Sequence, residues 1–316
     1  MLFSFFVLFA LIFVNGFSDA PNSVASAIVS YAIPPKRAIA LAALFDMLGV
    51  IIFYFLSPSV AYTCGSIANF THDPEKAILA GMSASVIYAL LAWKFGFPTS
   101  ESHAMSAAVS GAAFFSGGGV SAEAWKKIFI GFLLYSLLAF FISPIISFLA
   151  GALLKRTARH RRIAFLSRAQ IFFCLLCAFM HGAQDGQKFI GLMMLFSGGR
   201  SPNILSVFLC AATLSLGTLS CSEKIIKTTA VEMARPDMRE GFSADAASFM
   251  LMLTASLLGI PVSTSNIKNS AILGVKAFSE SGKPDIKKAV SLILIWLMTF
   301  PVCFILGGVL SYIYTF

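Results

Sequence analysis

The chain has 316 residues and a formal net charge of +9; 58% of its residues are hydrophobic and 12% are charged. Soluble domains average roughly 45–50% apolar and about 25% charged residues, so a soluble globular fold is excluded and lipid must solvate much of the surface. The positive charge does not indicate a nucleic-acid partner, because the cations gather in short loops such as 155–162, where they set membrane orientation.

Continuous apolar runs predict membrane helices from the start of the chain. The first fourteen residues are interpreted as half of such a helix and not as a signal peptide, since no lysine or arginine precedes Lys36. Further runs approach or exceed the roughly 20 residues that cross a bilayer: Ala38–Leu56, Ile128–Leu154, Ile204–Cys221 and Val290–Tyr314. None alternates as barrel strands do. The predicted fold class is all-α, a multi-pass protein of the cell membrane with the lipid bilayer as its partner.

Two motifs recur in the same order in the two halves of the chain. Asn15–Asn22 (NGFSDAPN) is echoed by His181–Lys188 (HGAQDGQK), and Gly96–His103 (GFPTSESH) by Gly259–Asn266 (GIPVSTSN). We therefore predict two pseudo-symmetric repeats, residues 1–157 and 158–316. Repeats with Gly/Pro-interrupted segments at matching positions are typical of secondary transporters, whose sites lie at the repeat interface.

Loop charge favours inverted repeats. The loop near 57–75 carries little positive charge, whereas its counterpart near 224–243 contains Lys224, Lys227, Arg235 and Arg239, so the two are expected to face opposite sides of the membrane. Each half reads as three helices, a re-entrant pair at the Pro-x-Ser motif and a long final helix. That count of crossings is even, and inversion needs an odd one. Either 124–154 is broken near Ser143-Pro144, or one motif segment does not cross fully.

Asp19 and Asp185 are carboxylates in apolar surroundings, where a charge costs about 2.5–3.5 kcal/mol or more. Residues that favour interrupted helices flank them: Gly16, Pro21, Gly182 and Gly186. Broken helices expose carbonyls to a cation and N–H groups to an anion. We expect the two acids to be cation ligands, Na⁺ ligands if sodium is the coupling ion.

The acids have polar neighbours in the same motifs. The expected partners of the cation or anion are Asn22, Gln184, Gln187 and Lys188. Asn22 and Lys188 each follow an acid by three residues, which places them on the same helix face. In the alternative interpretation these groups only hold interrupted helices together, and Asp185 and Lys188 form a neutralised ion pair.

The Pro-x-Ser motifs supply hydroxyl groups to the expected substrate site. These are Thr99, Ser100 and Ser102 in the first half and Ser263, Thr264 and Ser265 in the second. Each set follows a proline that can start a helix, so N–H groups and hydroxyls are free to bind a tetrahedral anion such as phosphate or sulfate. The alternative is that these hydroxyls bond back to their own helix or a neighbouring one.

Glu101 and His103 are ionisable residues that occur only in the first half; Thr264 and Asn266 stand at their positions in the second. Our hypothesis is that Glu101 takes up a proton during coupling. His103 and His181 are expected to be packing residues. Cys174 and Cys177 have C-x-x-C spacing inside an apolar run, and we expect them to be structural, as small apolar residues.

The motifs resemble those of the PiT family of inorganic phosphate transporters over nearly the whole chain. The resemblance extends over Asn15–Asn22, Pro98–Gly111, His181–Gly191, Gly217–Thr229 and Gly259–Gly274. It implies symport of phosphate with H⁺ or Na⁺ by alternating access. It assigns the substrate and cation site to Asp19, Asn22, Asp185, Ser100, Ser263 and Thr264. The implied substrate extends to a neutral metal–phosphate complex.

The chain departs from the family pattern at Ser18, Pro21, Gln184, Glu101 and Asn266, which leaves the coupling ion and a shift to sulfate open. An anion channel or sulfate carrier on the same scaffold is the alternative function. An enzyme is not expected, because no metal-binding or nucleophile–base spacing is present in the sequence. No cofactor is expected beyond the co-transported ion, and a homodimer is one expected assembly.

Overall fold

The computed structural model describes residues 2–71, 73–95, 99–221, 235–279 and 286–315. Its helices in chain order are α1 (Leu2–Ser18), α2 (Pro21–Val29), α3 (Pro35–Leu56), α4 (Ser59–Gly65), α5 (Pro74–Phe95), α6 (Glu101–Phe115), α7 (Ala122–Phe129), α8 (Tyr135–Leu154), α9 (Arg159–Phe196), α10 (Ile204–Leu219), α11 (Met238–Leu257), α12 (Thr264–Ala277) and α13 (Ile286–Thr315). A π-helical turn, Ile130–Leu134, joins α7 to α8. Strands β1 (Ala68–Asn69) and β2 (Gly119–Val120) pair antiparallel. Lys224, Lys227 and Gly96 to Pro98, which the sequence argument used, lie outside the described residues.

The apolar runs form long helices, which confirms the all-α, multi-pass fold. In the described ranges, six helical segments are long and apolar enough to cross a membrane. They are 3–29, 35–56, 74–95, 122–154, 159–196 and 289–314. Large apolar side chains such as Leu153, Phe148 and Phe6 lie exposed on them, as expected of surfaces that face lipid.

The two halves pack reciprocally. Helix α6 packs on α13, and its counterpart α12 packs on α8; α1 packs on α10, and its counterpart α9 packs on α3. Each contact therefore joins one half to the other. The backbones approach closely at matching glycines: a Cβ on Gly111 would lie 1.9 Å from the Phe304 carbonyl oxygen, and one on Gly274 would lie 1.9 Å from that of Phe140. The repeats interlock and do not form separate bodies.

The helix that carries the first acid is interrupted, but the helix that carries the second is not. Between α1 and α2 the N–H groups of Asn22 and Ser23 donate to the carbonyls three residues earlier instead of four. Pro21 has no N–H to donate, which interrupts the α-helical hydrogen bonds. Helix α9 runs without interruption through Asp185. The prediction of an interruption beside Gly182 and Gly186 is thus wrong. The position that matches Pro21 is Gln187, which keeps its backbone N–H donor.

Two helical hairpins enter the protein from opposite faces. The first, α5 with α6, begins and ends on the face where α1 starts, since Ala68 pairs with Val120 and Ser4 donates to Glu75 at 2.8 Å. The second, α11 with α12, begins and ends on the other face, where Lys276 lies 3.1 Å from Glu240. A hairpin adds no net crossing. Over the described residues each half then crosses three times, an odd number, and the repeats are inverted.

The crossing count also decides between the two alternatives left open by the sequence. Helix α8 contains Pro144 without a break, so the final helix of the first half is a single crossing. The motif segments are the ones that do not cross.

We call the face where α1 starts the N-terminal face and the opposite one the basic face. Lysines and arginines of the described loops and helix ends on the basic face are Lys36, Arg37, Lys155, Arg156, Arg159, Arg161, Arg162, Arg168, Arg235, Arg239, Lys276 and Lys287.

Candidate functional site

The candidate site lies where four elements meet inside the protein. They are the interruption between α1 and α2, the middle of α9, and the N-termini of α6 and α12. Asp19 and Asp185 are both buried, with 3% and 1% of their surfaces exposed. Ligand atoms of Asp19, His181 and Asp185 lie within 4.8 Å of one another. The two acids predicted from the repeat thus share one site.

Asp19 is held by the second hairpin. Its Oδ1 accepts hydrogen bonds from Ser265 Oγ and, at 3.1 Å, from Asn22 Nδ2. Asn22 Nδ2 also lies 3.2 Å from Ser265 Oγ. The acid of the first half is therefore bound by a hydroxyl of the second half.

Asp185 has the matching environment. Its Oδ1 accepts from Ser102 Oγ of the first hairpin at 3.3 Å and from Lys188 Nζ at 2.6 Å, and its Oδ2 accepts from Asn15 Nδ2 at 2.9 Å. Lys188 Nζ also donates to Ser102 Oγ at 2.6 Å and to the Val262 carbonyl at 2.5 Å. The ion pair in the alternative interpretation is present, but it is one part of a larger network.

The two environments differ in one charge. Where the first half has Asn22, the second has the ammonium of Lys188. Asp185 therefore has a fixed cation, whereas Asp19 forms no ion pair with a lysine or arginine of the described residues. Four buried oxygen atoms of the site have no hydrogen-bond donor among the described residues: Asn15 Oδ1, Asp19 Oδ2, Asn22 Oδ1 and Glu101 Oε2. Carboxylate and amide oxygens of this kind are the ligands that hard metal cations take in proteins.

The hydroxyl motifs begin helices at the site. Ser100 caps α6 by accepting from the His103 N–H, and Ser263 caps α12 by accepting from the Asn266 N–H, both at 3.3 Å. Both serines are buried. The first N–H groups of the two helices have no partner within the helix, and with the helix dipoles they favour an anion. Thr264 is buried at the start of α12, and Thr99 is partly buried just before Ser100.

Glu101 lies at the edge of this network. Its Oε1 accepts from Ser18 Oγ, and the side chain lines a cavity of about 10 Å³ together with Asn15, Ser102 and Lys188. That volume holds about one water molecule. A tetrahedral oxyanion requires the hairpins to move apart before it can enter.

The two histidines play different parts. His103 packs between the rings of Phe132 and Phe300, with centroids 5.2 and 4.8 Å away, as predicted. His181 bridges two carboxylates instead: Nδ1 lies 3.0 Å from Asp46 Oδ1 and Nε2 lies 3.5 Å from Asp185 Oδ2. His181 is thus a buried histidine with one ring nitrogen hydrogen-bonded, as expected of a packing residue, and it also lies beside the acid of the site.

Two glutamines of the second motif support neighbouring segments. Gln187 Oε1 accepts the N–H groups of Val60 and Ala61 in α4, at 3.0 and 3.2 Å. Gln184 binds the segment before α12, accepting from the Val262 N–H at 3.2 Å and donating to Ser256 Oγ at 2.8 Å. Gln187 thus faces α4 and not the acids.

Sequence reasoning missed four contributors to the site. They are Asn15, Ser18, Asp46 and the Val262 carbonyl. Asp46 carried a usable signal, because it is a carboxylate inside the apolar run Ala38–Leu56 and such residues are costly in a membrane. It is fully buried and also accepts from Thr218 Oγ1 at 2.7 Å.

Sequence comparisons match this chain to phosphate transporters. A family model described as the phosphate transporter family matches residues 15–165 and again 154–307. A protein of Bacillus subtilis named "Probable low-affinity inorganic phosphate transporter" is 28% identical over 311 residues, covering 95% of this chain and 93% of that protein. A protein of the same name from Rhizobium meliloti is 28% identical, covering 92% and 89%.

A solved structure shares the fold. It is titled "The sodium-dependent phosphate transporter", and it aligns over 99% of this chain and 98% of its own with a TM-score of 0.81 at 19% identity. At that identity the likeness concerns the arrangement of helices. The double match of the family model, one block in each half, agrees with the internal repeat.

Proposed function

This chain belongs to the phosphate transporter family, and on that premise we propose that it carries inorganic phosphate across the cell membrane by symport with a cation. By the same family membership it is a transport protein. The observation that supports the proposal is the mirrored network, in which Asp19 is bound by Ser265 and Asp185 by Ser102. Each acid is thus hydrogen-bonded to the hairpin of the opposite half, so its contacts depend on where that hairpin lies.

The charges of the site explain why a cation should accompany phosphate. Three carboxylates, Asp19, Asp185 and Glu101, converge near the N-termini of α6 and α12, where the ammonium of Lys188 pairs with Asp185. An anion placed there meets strong repulsion unless positive charge enters too. Na⁺ at Asp19 and Asp185, or protons with one on Glu101, would supply it.

The closed geometry supports alternating access. The cavity beside Glu101 is too small for phosphate, and the two hairpins enter from opposite faces. Separation of one hairpin at a time would open the site to one side only. The positive-inside rule makes the basic face cytoplasmic, so import would run from the N-terminal face to the basic face.

Uptake of radiolabelled phosphate into proteoliposomes tests the proposal. With an inward Na⁺ or H⁺ gradient we expect phosphate to accumulate above its external concentration, which a channel cannot do. Sulfate and arsenate are added as competitors. Accumulation of sulfate without phosphate would assign the chain to the alternative substrate, and equilibration without accumulation would indicate a channel.

Glu101→Gln is expected to remove the stimulation of uptake by an inward pH gradient. The reason is that the amide keeps the size and the contact with Ser18 but cannot carry a proton. Uptake is measured with the pH gradient alone and with a Na⁺ gradient alone. If pH-driven uptake by the variant equals that of the unaltered protein, Glu101 does not carry the coupled proton. Glu123→Gln, in an exposed pair with Lys127, is the control.

Ser102→Ala and Ser265→Ala test the mirrored contacts. Each removes a hydrogen bond to a buried charged acceptor, worth about 1.5–3 kcal/mol, so a loss of roughly tenfold or more in transport efficiency is expected from either. Ser116→Ala is the matched control, since the Ser116 hydroxyl donates to the Ala113 carbonyl at the end of its own helix. Unchanged uptake in both site variants would show that the hydroxyls serve packing alone.

A further inference from the structure

A second buried polar cluster lies between the site and the basic face. Asp245 of α11 and Lys268 of α12 form an ion pair inside the second hairpin, with 0% and 2% of their surfaces exposed. Both groups also bind the half-helix α2. Ser26 Oγ donates to Asp245 at 2.7 and 3.0 Å, and Lys268 Nζ donates to the Ser23 carbonyl at 2.9 Å. The cluster therefore fastens the hairpin to α2.

The same positions in the other half are apolar. The spacing that relates the two motif pairs places Met82 opposite Asp245, Met105 opposite Lys268 and Leu192 opposite Ser26. These three side chains are buried in one hydrophobic cluster. The contact nearer the basic face is thus polar, and its mirror image nearer the N-terminal face is apolar.

The two contacts differ in the free energy of exposing their surfaces to water when they separate. Exposing the methionine and leucine surfaces costs hydrophobic free energy. A buried ion pair that is exposed instead recovers the hydration its charges gave up on burial, which can equal or exceed the attraction it loses. The polar contact should accordingly open more easily than the apolar one.

The backbone reinforces this asymmetry. Helix α2 is a separate nine-residue helix after the interruption at Pro21, so it can move relative to α1. Its counterpart is the C-terminal part of α9, which is continuous and cannot swing in that way. Both the hinge and the polar contact lie on the side of the basic face.

We propose that Asp245, Lys268 and Ser26 form a polar latch that closes the site toward the basic face, and that the protein without substrate opens mainly on that side. The latch is linked to the site through two helices. Asn22 precedes Ser26 by four residues on α2, and Ser265 precedes Lys268 by three on α12, so the Asn22–Ser265 contact lies about one turn from the latch. Binding that draws Asp19 and Ser265 together would close the latch as well. The inference rests on the proposed function only for the identity of the substrate.

Cysteine accessibility tests the latch without phosphate. Ser23→Cys keeps the carbonyl that accepts from Lys268, and labelled peptides are identified by mass spectrometry so that the native cysteines remain. In inside-out vesicles, a membrane-impermeant maleimide should label Cys at position 23. Adding Asp245→Met with Lys268→Met, the residues of the mirror positions, should slow labelling about tenfold by making both contacts apolar.

The matched control is Lys276→Met, which alters a lysine of the same hairpin that pairs with Glu240 at the basic face. This variant should leave the rate of labelling at position 23 within about twofold of the rate measured with the latch residues unaltered. If the double variant fails to fold, Ser26→Ala serves instead: it removes two hydrogen bonds of the latch and should speed labelling. Equal labelling with and without the latch residues, or none from the basic face, overturns the proposal. Because no phosphate is present, failure of the uptake assay would leave this result standing.

Discussion

Replacing Asp19 or Asp185 by asparagine is expected to abolish gradient-driven phosphate uptake. Asparagine has nearly the same size, so the packing of the buried site is kept and the charge alone is lost. Removing a charged acceptor costs about 3 kcal/mol, or roughly a hundredfold in transport efficiency. Initial rates in proteoliposomes with imposed Na⁺ or H⁺ gradients provide the measurement.

The two substitutions should impair phosphate uptake in different ways. Asp185 is paired with Lys188 at 2.6 Å, so Asp185→Asn leaves an uncompensated buried ammonium. Asp19 is paired with no lysine in the part of the chain that the structure describes, and Asp19→Asn should chiefly weaken dependence on the external cation. Asp73→Asn, an exposed residue paired with Lys76 on the N-terminal face, is the control. Full activity of both site variants would remove the basis of the site assignment.

Replacing Gly182 by alanine is expected to cause a large loss of folded protein. Its Cβ would lie 2.0 Å from the Asp46 carbonyl oxygen and 2.7 Å from the Asp46 Cα, so α9 and α3 could not keep their separation. Overpacking of this kind costs about 1–3 kcal/mol or more, and the melting temperature should fall by roughly 5–10 °C. The shift would also disturb the Asp46–His181 contact.

Thermal melting and size-exclusion profiles of the purified protein measure this effect. Gly16 is the mirror position, where a Cβ would lie 2.2 Å from the Leu214 carbonyl oxygen, and Gly16→Ala should be similarly harmful. Gly119→Ala is the control, since nothing lies within 4 Å of its Cβ position. Unchanged melting of the Gly182 variant would show that the helices can separate without cost.

The residues of the site were largely predictable, whereas their partners were not. Asp19 and Asp185 stood out because a carboxylate in an apolar run is costly and because the motif recurs. That Ser265 binds Asp19 and Ser102 binds Asp185 follows from a crossing of the two halves that local pattern does not encode. Gln187 was misplaced for a geometric reason: once α9 is continuous, a residue two positions after Asp185 lies about 200° around the helix.

The sequence by itself determined that the protein is a helical membrane protein of two related halves with two acids in corresponding places. These properties follow from the length of apolar runs and from repetition, both of which are local and additive along the chain. Loop charge and the Pro-x-Ser motifs predicted inverted repeats and re-entrant pairs, but only the tertiary structure resolved the number of crossings and decided that each acid meets the opposite hairpin. It also decided which mirror contact is polar. Such contacts join residues far apart in sequence, and they are set by how all the helices pack at once.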